Sequence, residues 1–478
     1  RSRPETEPVA AVDPVPAPVP GAPASAAPAI EGVEALADRG ERGPRAAALC
    51  LVAAGLAACD VVSATGSTVA LDGDVLAVAG QRYELDPGGR VLVVGAGKAS
   101  LAIATELERI LGDRLDGGAI AIRGDQPQTL RGIEVMGSDH PLPTGRSIAA
   151  ARRLLSIAES AGERDIVIAC FTGGSSSLAS LPPEGVSAAE KRDLHELLLS
   201  SGISIVEVNT VRKHVSAFKG GRLAAAAAPA RLINLTVSDV AGDHIDAITD
   251  PSVADTSRAG DAIAILYGHG LWERVPASIR DHLQSAAAES PDLSGTTIQT
   301  VLLVTGATAC EAMANEALAL ELNPVVISTT LEGEARQVGR LLANLARESG
   351  DRGSPFARGT AMLGCGGEST VTLAREGSFG EGGPNQEAAI AAALELEGAP
   401  VAAVFIDTDG SDGGTLHAGA IVDGRTIERA AAAGIDLRSA LLEHRSQVAL
   451  TALEDALVTG PTGTNVNDLF AIVVEGDR

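Results

Sequence analysis

The sequence predicts an α/β protein of two domains built on parallel sheets. Three observations carry this. Short runs of β-branched and apolar residues alternate with Ala-rich helical stretches along most of the chain. Fifty-four glycines supply tight strand-to-helix turns, and 478 residues exceed what one ordinary core accommodates. Aromatic residues are only 2 % of the chain, so Ala, Val, Leu and Ile must fill the interior.

Residues 1–38 are dominated by Pro, Ala and Glu, cannot build a core, and read as a disordered tail. Residues 39–290 read as the first domain and 291–478 as the second, divided at the Ser/Pro/Gly-rich stretch Ser285–Ser294. Ala46–Cys59 is apolar but half Ala and Gly, and reads as the first helix of the fold. Strands are expected at Val91–Val94, Ala119–Ile122, Asp165–Cys170, Leu232–Val237, Thr300–Val304, Val325–Ser328, Thr360–Leu363 and Ala402–Ile406. Several are continuous apolar runs, as in strands covered on both faces. Helices are expected at Ala99–Leu111, Ser147–Ala161, Ala309–Leu320, Glu334–Arg347 and Gln386–Glu395, with a polar loop at Glu348–Ala357. Strand then helix, repeated, implies parallel pairing through right-handed crossovers.

The net charge of −25 repels nucleic acid and anionic lipid, and no segment reaches the ~18 uninterrupted apolar residues of a membrane span. Lysine occurs only at Lys98, Lys191, Lys213 and Lys219, three of them in Gly-rich or basic motifs where a compact ammonium is useful. The five cysteines form no CxxC pair, so a reduced, cytoplasmic protein without structural zinc is expected.

In open parallel sheets ligands bind beyond the carboxyl ends of the strands. Six strand-end loops are rich in Gly, Ser or Asp. Gly95–Ser100 places Gly97, Lys98 and Ser100 at a helix N-terminus, but it is neither a Walker loop nor, with Ser100 at the third Gly, a dinucleotide fingerprint. In Thr172–Ser177, Gly173, Gly174, Ser175, Ser176 and Ser177 offer amides and hydroxyls to a phosphate or carboxylate. Arg212, Lys213, Lys219 and Arg222, in the stretch that begins at Asn209, form the densest basic cluster of this acidic chain, and Asn209, Arg212, Lys213 and Lys219 are candidates for anion binding. Asp239 and Asp243 flank a Gly; they suit Mg²⁺ held through water, or one of them a base. Gly364–Thr370, followed by Gly382–Glu387, and Asp407–Gly414 complete the set. The last lacks the terminal Glu of a calcium loop. Each loop also has a plain packing explanation, and it is the six together that point to a site.

The blocks GAGKAS, TGGSSSL, NTVRKHVSAFKGGRLA, SDVAGD, GGESTV, GGPNQE, DTDGSDG and TGPTGTNVNDL, in this order, resemble the glycerate 2-kinase family from about residue 40 to the C-terminus. The resemblance implies a Rossmann-like three-layer α/β/α N-terminal domain, a smaller α/β C-terminal MOFRL domain, and a cleft between them. It implies ATP and Mg²⁺ as cofactors and transfer of phosphate to the 2-hydroxyl of D-glycerate or a related small hydroxy-acid, with Lys98 catalytic; Asp239 is the candidate for a second catalytic residue, as base. Nucleotide binding is then expected at Gly366, Gly367, Glu368, Asn385, Gln386, Asp409 and Asp412, and metal binding at Asp239 and Asp243. A homodimer is the candidate assembly. Two departures stand out: Pro384 replaces the family's Arg in GGRNQE, and Thr249-Asp250-Pro251-Ser252 replaces SGPT. The competing readings are a hydroxypyruvate reductase and a non-catalytic regulatory protein that binds a hydroxy-acid or sugar phosphate.

Overall fold

A computed structural model describes residues 29–124, 129–238, 242, 248–373 and 380–476. Its strands, in chain order, are β1 Val69–Asp72, β2 Val75–Val78, β3 Gln81–Glu84, β4 Val91–Ala96, β5 Gly117–Arg123, β6 Glu134–Ser138, β7 Ile166–Phe171, β8 Arg231–Val237, β9 Ile298–Val304, β10 Asn323–Leu331, β11 Thr360–Gly366, β12 Val401–Asp407, β13 Gly419–Asp423, β14 Ala456–Leu457 and β15 Asp468–Val474. All eight expected strands are present, most of them longer at the ends. β1–β3 form a separate antiparallel meander that the alternation rule did not find.

The first sheet runs β6-β5-β4-β7-β8-β9 and is parallel throughout. β4 and β7 are buried along their whole length, which explains their uninterrupted apolar runs. Chain order reverses between these two strands, so a crevice opens beyond their carboxyl ends. β9 lies on the far side of the break expected near residue 290, yet it pairs with β8; sheet membership therefore does not divide there.

The second sheet runs β10-β11-β15-β12-β13-β14. Parallel pairing was expected, but only β10 and β11 are parallel. β15 enters the centre antiparallel to both β11 and β12, and β12 and β13 pair antiparallel. The short link between β12 and β13 cannot carry a crossover of a dozen or more residues, so the strand must turn back. The helix expected to end at Arg347 runs Ala335–Arg352, because Ser349 and Gly350 are buried and Gly353, at φ +66°, ends it. The first half of the polar stretch Glu348–Ala357 is therefore helical.

Helix Arg42–Ala58 joins the two sheets. Leu49, Val52 and Leu56 belong to one continuous cluster with Val93 and Ile168 of the first sheet and Val404 and Ala471 of the second. The tail expected over 1–38 ends sooner: Ile30 and Leu36 are buried in this cluster, and Glu31 N donates to the Val458 carbonyl at 2.8 Å. Residues 1–28 lie outside the described residues. No single described helix is long and apolar enough to cross a membrane.

The same helix carries Arg45, which is completely buried. Its guanidinium donates to Asp423 at 3.0 Å, Asp455 at 2.8 Å and the Leu36 carbonyl at 2.7 Å. Arg429 holds Asp455 from the other side at 2.6 Å. Removing one partner of a buried pair leaves an uncompensated charge. Arg45→Ala is expected to lower stability by about 3–5 kcal/mol, read as a fall in the urea midpoint followed by circular dichroism.

Candidate active site

Two loops at the reversal point of the first sheet are stitched together by hydrogen bonds. Lys98 N donates to the Gly173 carbonyl at 2.9 Å, Thr172 N to the Ala96 carbonyl at 3.0 Å, and Ala99 N to Thr172 Oγ1 at 3.1 Å. Gly97 makes this possible. Its φ is +141°, and a Cβ there would lie 2.1 Å from Thr172 Oγ1. Ser100 is a structural part of the same turn: it is fully buried and donates to the Cys170 carbonyl at 2.7 Å.

In front of these loops lies a cavity of about 480 Å³, lined by both sheets. The first sheet contributes Lys98, His140, Gly173, Gly174 and Ser175–Ser177, with Asn209 and Arg212 from the helix Ile205–His214 and His195 from the helix Ala188–Leu199. Both helices begin with capping boxes, Ser187 with Glu190 and Ser204 with Glu207, which fix where they start and so where these side chains point. The second sheet contributes Glu332, Gly367, Glu368, Asn465 and Asn467. Lys98 crosses the gap: its Nζ lies 2.5 Å from Asp409 Oδ2.

The walls differ in charge. On the second sheet, burial pushes Asp468 up to about 7 and Asp412 up to about 6; it also raises Asp407, helped by the charges of Asp409 and Asp468. Burial works against the Lys98 charge, but Asp409, with Asp407 and Glu368 behind it, holds its pKa above the ordinary lysine range. On the first sheet, burial and then the Lys98 charge lower His140 to about 4. Burial and then Arg212 lower His195 to about 3. Both rings are neutral at pH 7.

The structure sorts the expected site residues. Gly97, Lys98, the Thr172–Ser177 loop, Asn209, Arg212, Gly367, Glu368 and Asp409 gather at or beside the cavity. Lys219 lies just beneath it and donates to the carbonyls of Ser176 at 2.7 Å and Ala179 at 3.2 Å. Lys213 turns away to Asp255 at 2.6 Å. Gly366 serves close packing, since a Cβ there would meet the Leu331 carbonyl at 1.8 Å. Asn385, Gln386 and Asp412 do not line the cavity; Asp412 accepts from the Asn385 and Gln386 amides at 3.0 and 2.9 Å and so anchors the helix that Pro384 opens. Asp239 and Asp243 lie outside the described residues. Among the described residues, no three His, Cys, Asp or Glu side chains converge in a geometry that would hold a metal ion. Sequence reasoning missed His140 and His195. One follows β6, which was not recognised, and the other sits in mid-helix with no motif around it.

Asp250, where the family block has Gly, lines the cavity and is buried. It accepts from Ser252 N at 2.7 Å and from Asn234 Nδ2 at 3.4 Å, while Asn234 Oδ1 has no partner. Burial raises its pKa from 3.8 to about 6. A raised folded pKa gives stability that is complete below the unfolded value and lost as pH rises through the folded one, a loss on the order of 2–3 kcal/mol above pH 7. Asp250→Asn removes that charge, and a flip of the Asn234 amide lets its free oxygen accept from the new side chain. The variant is therefore expected to melt above the parent at pH 8, with the gap closing towards pH 4. An equal difference at both pH values would contradict this.

Comparison with known proteins matches residues 47–284 to a domain of unknown function (DUF4147) and residues 361–468 to the MOFRL family. A glycerate 2-kinase of Pyrococcus horikoshii is 39 % identical over 435 residues, which is 90 % of this chain and 97 % of that protein. A putative hydroxypyruvate reductase of Agrobacterium vitis is 40 % identical over 390 residues, 81 % of this chain and 88 % of that protein. The crystal structure of a glycerate kinase from Thermotoga maritima superposes with a TM-score of 0.76 at 33 % identity, covering 92 % of this chain and all of that one. With most of both chains matched at this identity, and with the two matched domains facing each other across the cavity, the chain belongs to the glycerate 2-kinase family.

Proposed function

We propose that the protein transfers the γ-phosphate of ATP to the 2-hydroxyl of D-glycerate or a closely related small hydroxy-acid. The observation that carries this reading is Lys98, placed at the reversal point of the parallel sheet and held across the cavity by Asp409 of the other sheet. Phosphoryl transfer asks the protein mainly for positioning and charge stabilisation, and an ammonium held at the cavity by an ion pair supplies both. The acceptor oxygen bonds to the γ-phosphorus, the bond to the bridging oxygen breaks, and ADP leaves. The acceptor proton passes to a nearby base: neutral His140 lines the cavity, and Asp239 is the expected alternative.

Mg²⁺ bound with the nucleotide would supply charge neutralisation at the phosphates, and it needs only one or two protein carboxylates for this. Glu368 at the cavity wall and Asp409 beside Lys98 have the hard oxygen donors it prefers. Of the two arginines that could make up for the cation lost at Pro384, Arg212 lines the cavity, whereas Arg222 is engaged with the carbonyls of Lys213, Lys219, Ala288 and Glu289. A reductase reading gains nothing from the first loop, whose glycine and serine are explained by packing against Thr172 and Cys170.

Lys98→Ala is expected to lower kcat/KM for D-glycerate by about 100-fold or more, measured as ADP release with ATP and Mg²⁺. Unchanged turnover would remove Lys98 from the mechanism. Oxidation of a nicotinamide cofactor with hydroxypyruvate, in place of ADP release, would overturn the kinase assignment itself.

A further inference from the structure

Arg212, Lys219 and Lys191 are brought together behind the Ser-rich loop, around a small recess that they share with Ser176 and His195. Lys219 is 2 % exposed and Lys191 turns its ammonium inward to the Leu181 carbonyl at 2.8 Å. None of the three forms an ion pair with a described carboxylate, and the charged groups that perturb the two lysines are other cations. Burial, and then the neighbouring cations, push both lysines down, Lys191 to about 7, and an anion bound nearby would favour their charged forms.

Two polar atoms at this wall are also unpaired. Ser176 Oγ and Arg212 Nε are both buried without a hydrogen-bond partner, and both residues line the main cavity. The other end of the guanidinium is fixed, because Arg212 Nη2 lies 2.6 Å from His195 Nε2. A guanidinium has only donors, so Nε2 must be the acceptor and the His195 proton sits on Nδ1. His195 thus aims the guanidinium without competing for its ligand. The recess behind the wall holds only about 10 Å³, room for a single water and too little for a phosphate. The anion must therefore sit in the main cavity, against Arg212 and Ser176.

We propose that Arg212 and the Ser176 hydroxyl bind the carboxylate of the acceptor acid, with His195 acting as the positioning residue that orients Arg212. The wall selects hydroxy-acids over uncharged polyols. The identity of the acid rests on the kinase reading above; the existence of the subsite does not.

Ser176→Ala is the cleanest probe, because it deletes a hydroxyl that has no partner in the unliganded fold. It is expected to leave the melting temperature unchanged or slightly raised. The KM for D-glycerate should rise about 5- to 20-fold while the KM for ATP stays within about twofold. His195→Ala should show the same split, and His195→Gln, whose amide oxygen still accepts from Arg212, should recover to within about threefold of the parent. Calorimetric titration of the full chain with D-glycerate, glycerol and inorganic phosphate separates binding from turnover. Glycerate binding that weakens in step with the KM, with no uptake of glycerol, supports the subsite. A parent protein that binds glycerate in this His195-dependent way but releases no ADP also supports it, and removes the kinase reading instead. A rise in the KM for ATP, phosphate displacing glycerate from the wall, or unchanged glycerate affinity in all three variants would overturn the proposal.

Discussion

Lys98 and Asp409 are 311 positions apart in the chain and meet at 2.5 Å. Neither residue could bring the other into place. An ion pair that is partly open to solvent contributes at most about 1 kcal/mol, far too little to orient two sheets. Their meeting reports a constraint imposed from elsewhere, namely the shared core that locks the carboxyl end of β4 opposite the carboxyl end of β12. The helix Arg42–Ala58 carries much of that constraint, with Leu49 and Leu56 packed into a core that reaches both sheets and Arg45 tied to the second sheet at Asp423. The active-site geometry is thus set by apolar packing and one buried ion network, and the ion pair across the cavity merely uses it.

From that frame follows the polarity of the cavity. The acidic side chains Glu332 and Glu368, with Asp409 beside Lys98, come from the second sheet and its loops, and Arg212 comes from a helix of the first. Facing walls of opposite charge suit a reaction that brings two anions and a cation into one space. Behind each wall burial disfavours the charged forms, which is visible in carboxyls pushed upward and amines pushed downward. Perturbed groups of this kind cluster where function, not stability, has chosen them.

The fold was legible wherever one rule dominated. Continuous apolar runs gave the parallel strands β4, β5, β7 and β8, because strands covered on both faces need no alternation. β15 was missed although it is as apolar as any, since nothing in Asp468–Val474 announces that a C-terminal strand enters the middle of a sheet and reverses its neighbours. The loops were legible as a class, because Gly, Ser and Asp at strand ends have few other uses, but individual roles were not. Gly366 and Ser100 look like ligand residues and are packing residues. His195 looks like an ordinary helix residue and sits at the cavity wall, because its importance comes from Arg212, 17 residues away.

A crystal structure of the full chain with D-glycerate and a non-hydrolysable ATP analogue would test the central claim most directly. Both ligands are expected to occupy the one cavity between the sheets, with the triphosphate against Lys98 and the glycerate carboxylate on Arg212 and Ser176. Nucleotide bound away from Lys98, or glycerate held by one sheet alone at a distance from the other, would contradict it.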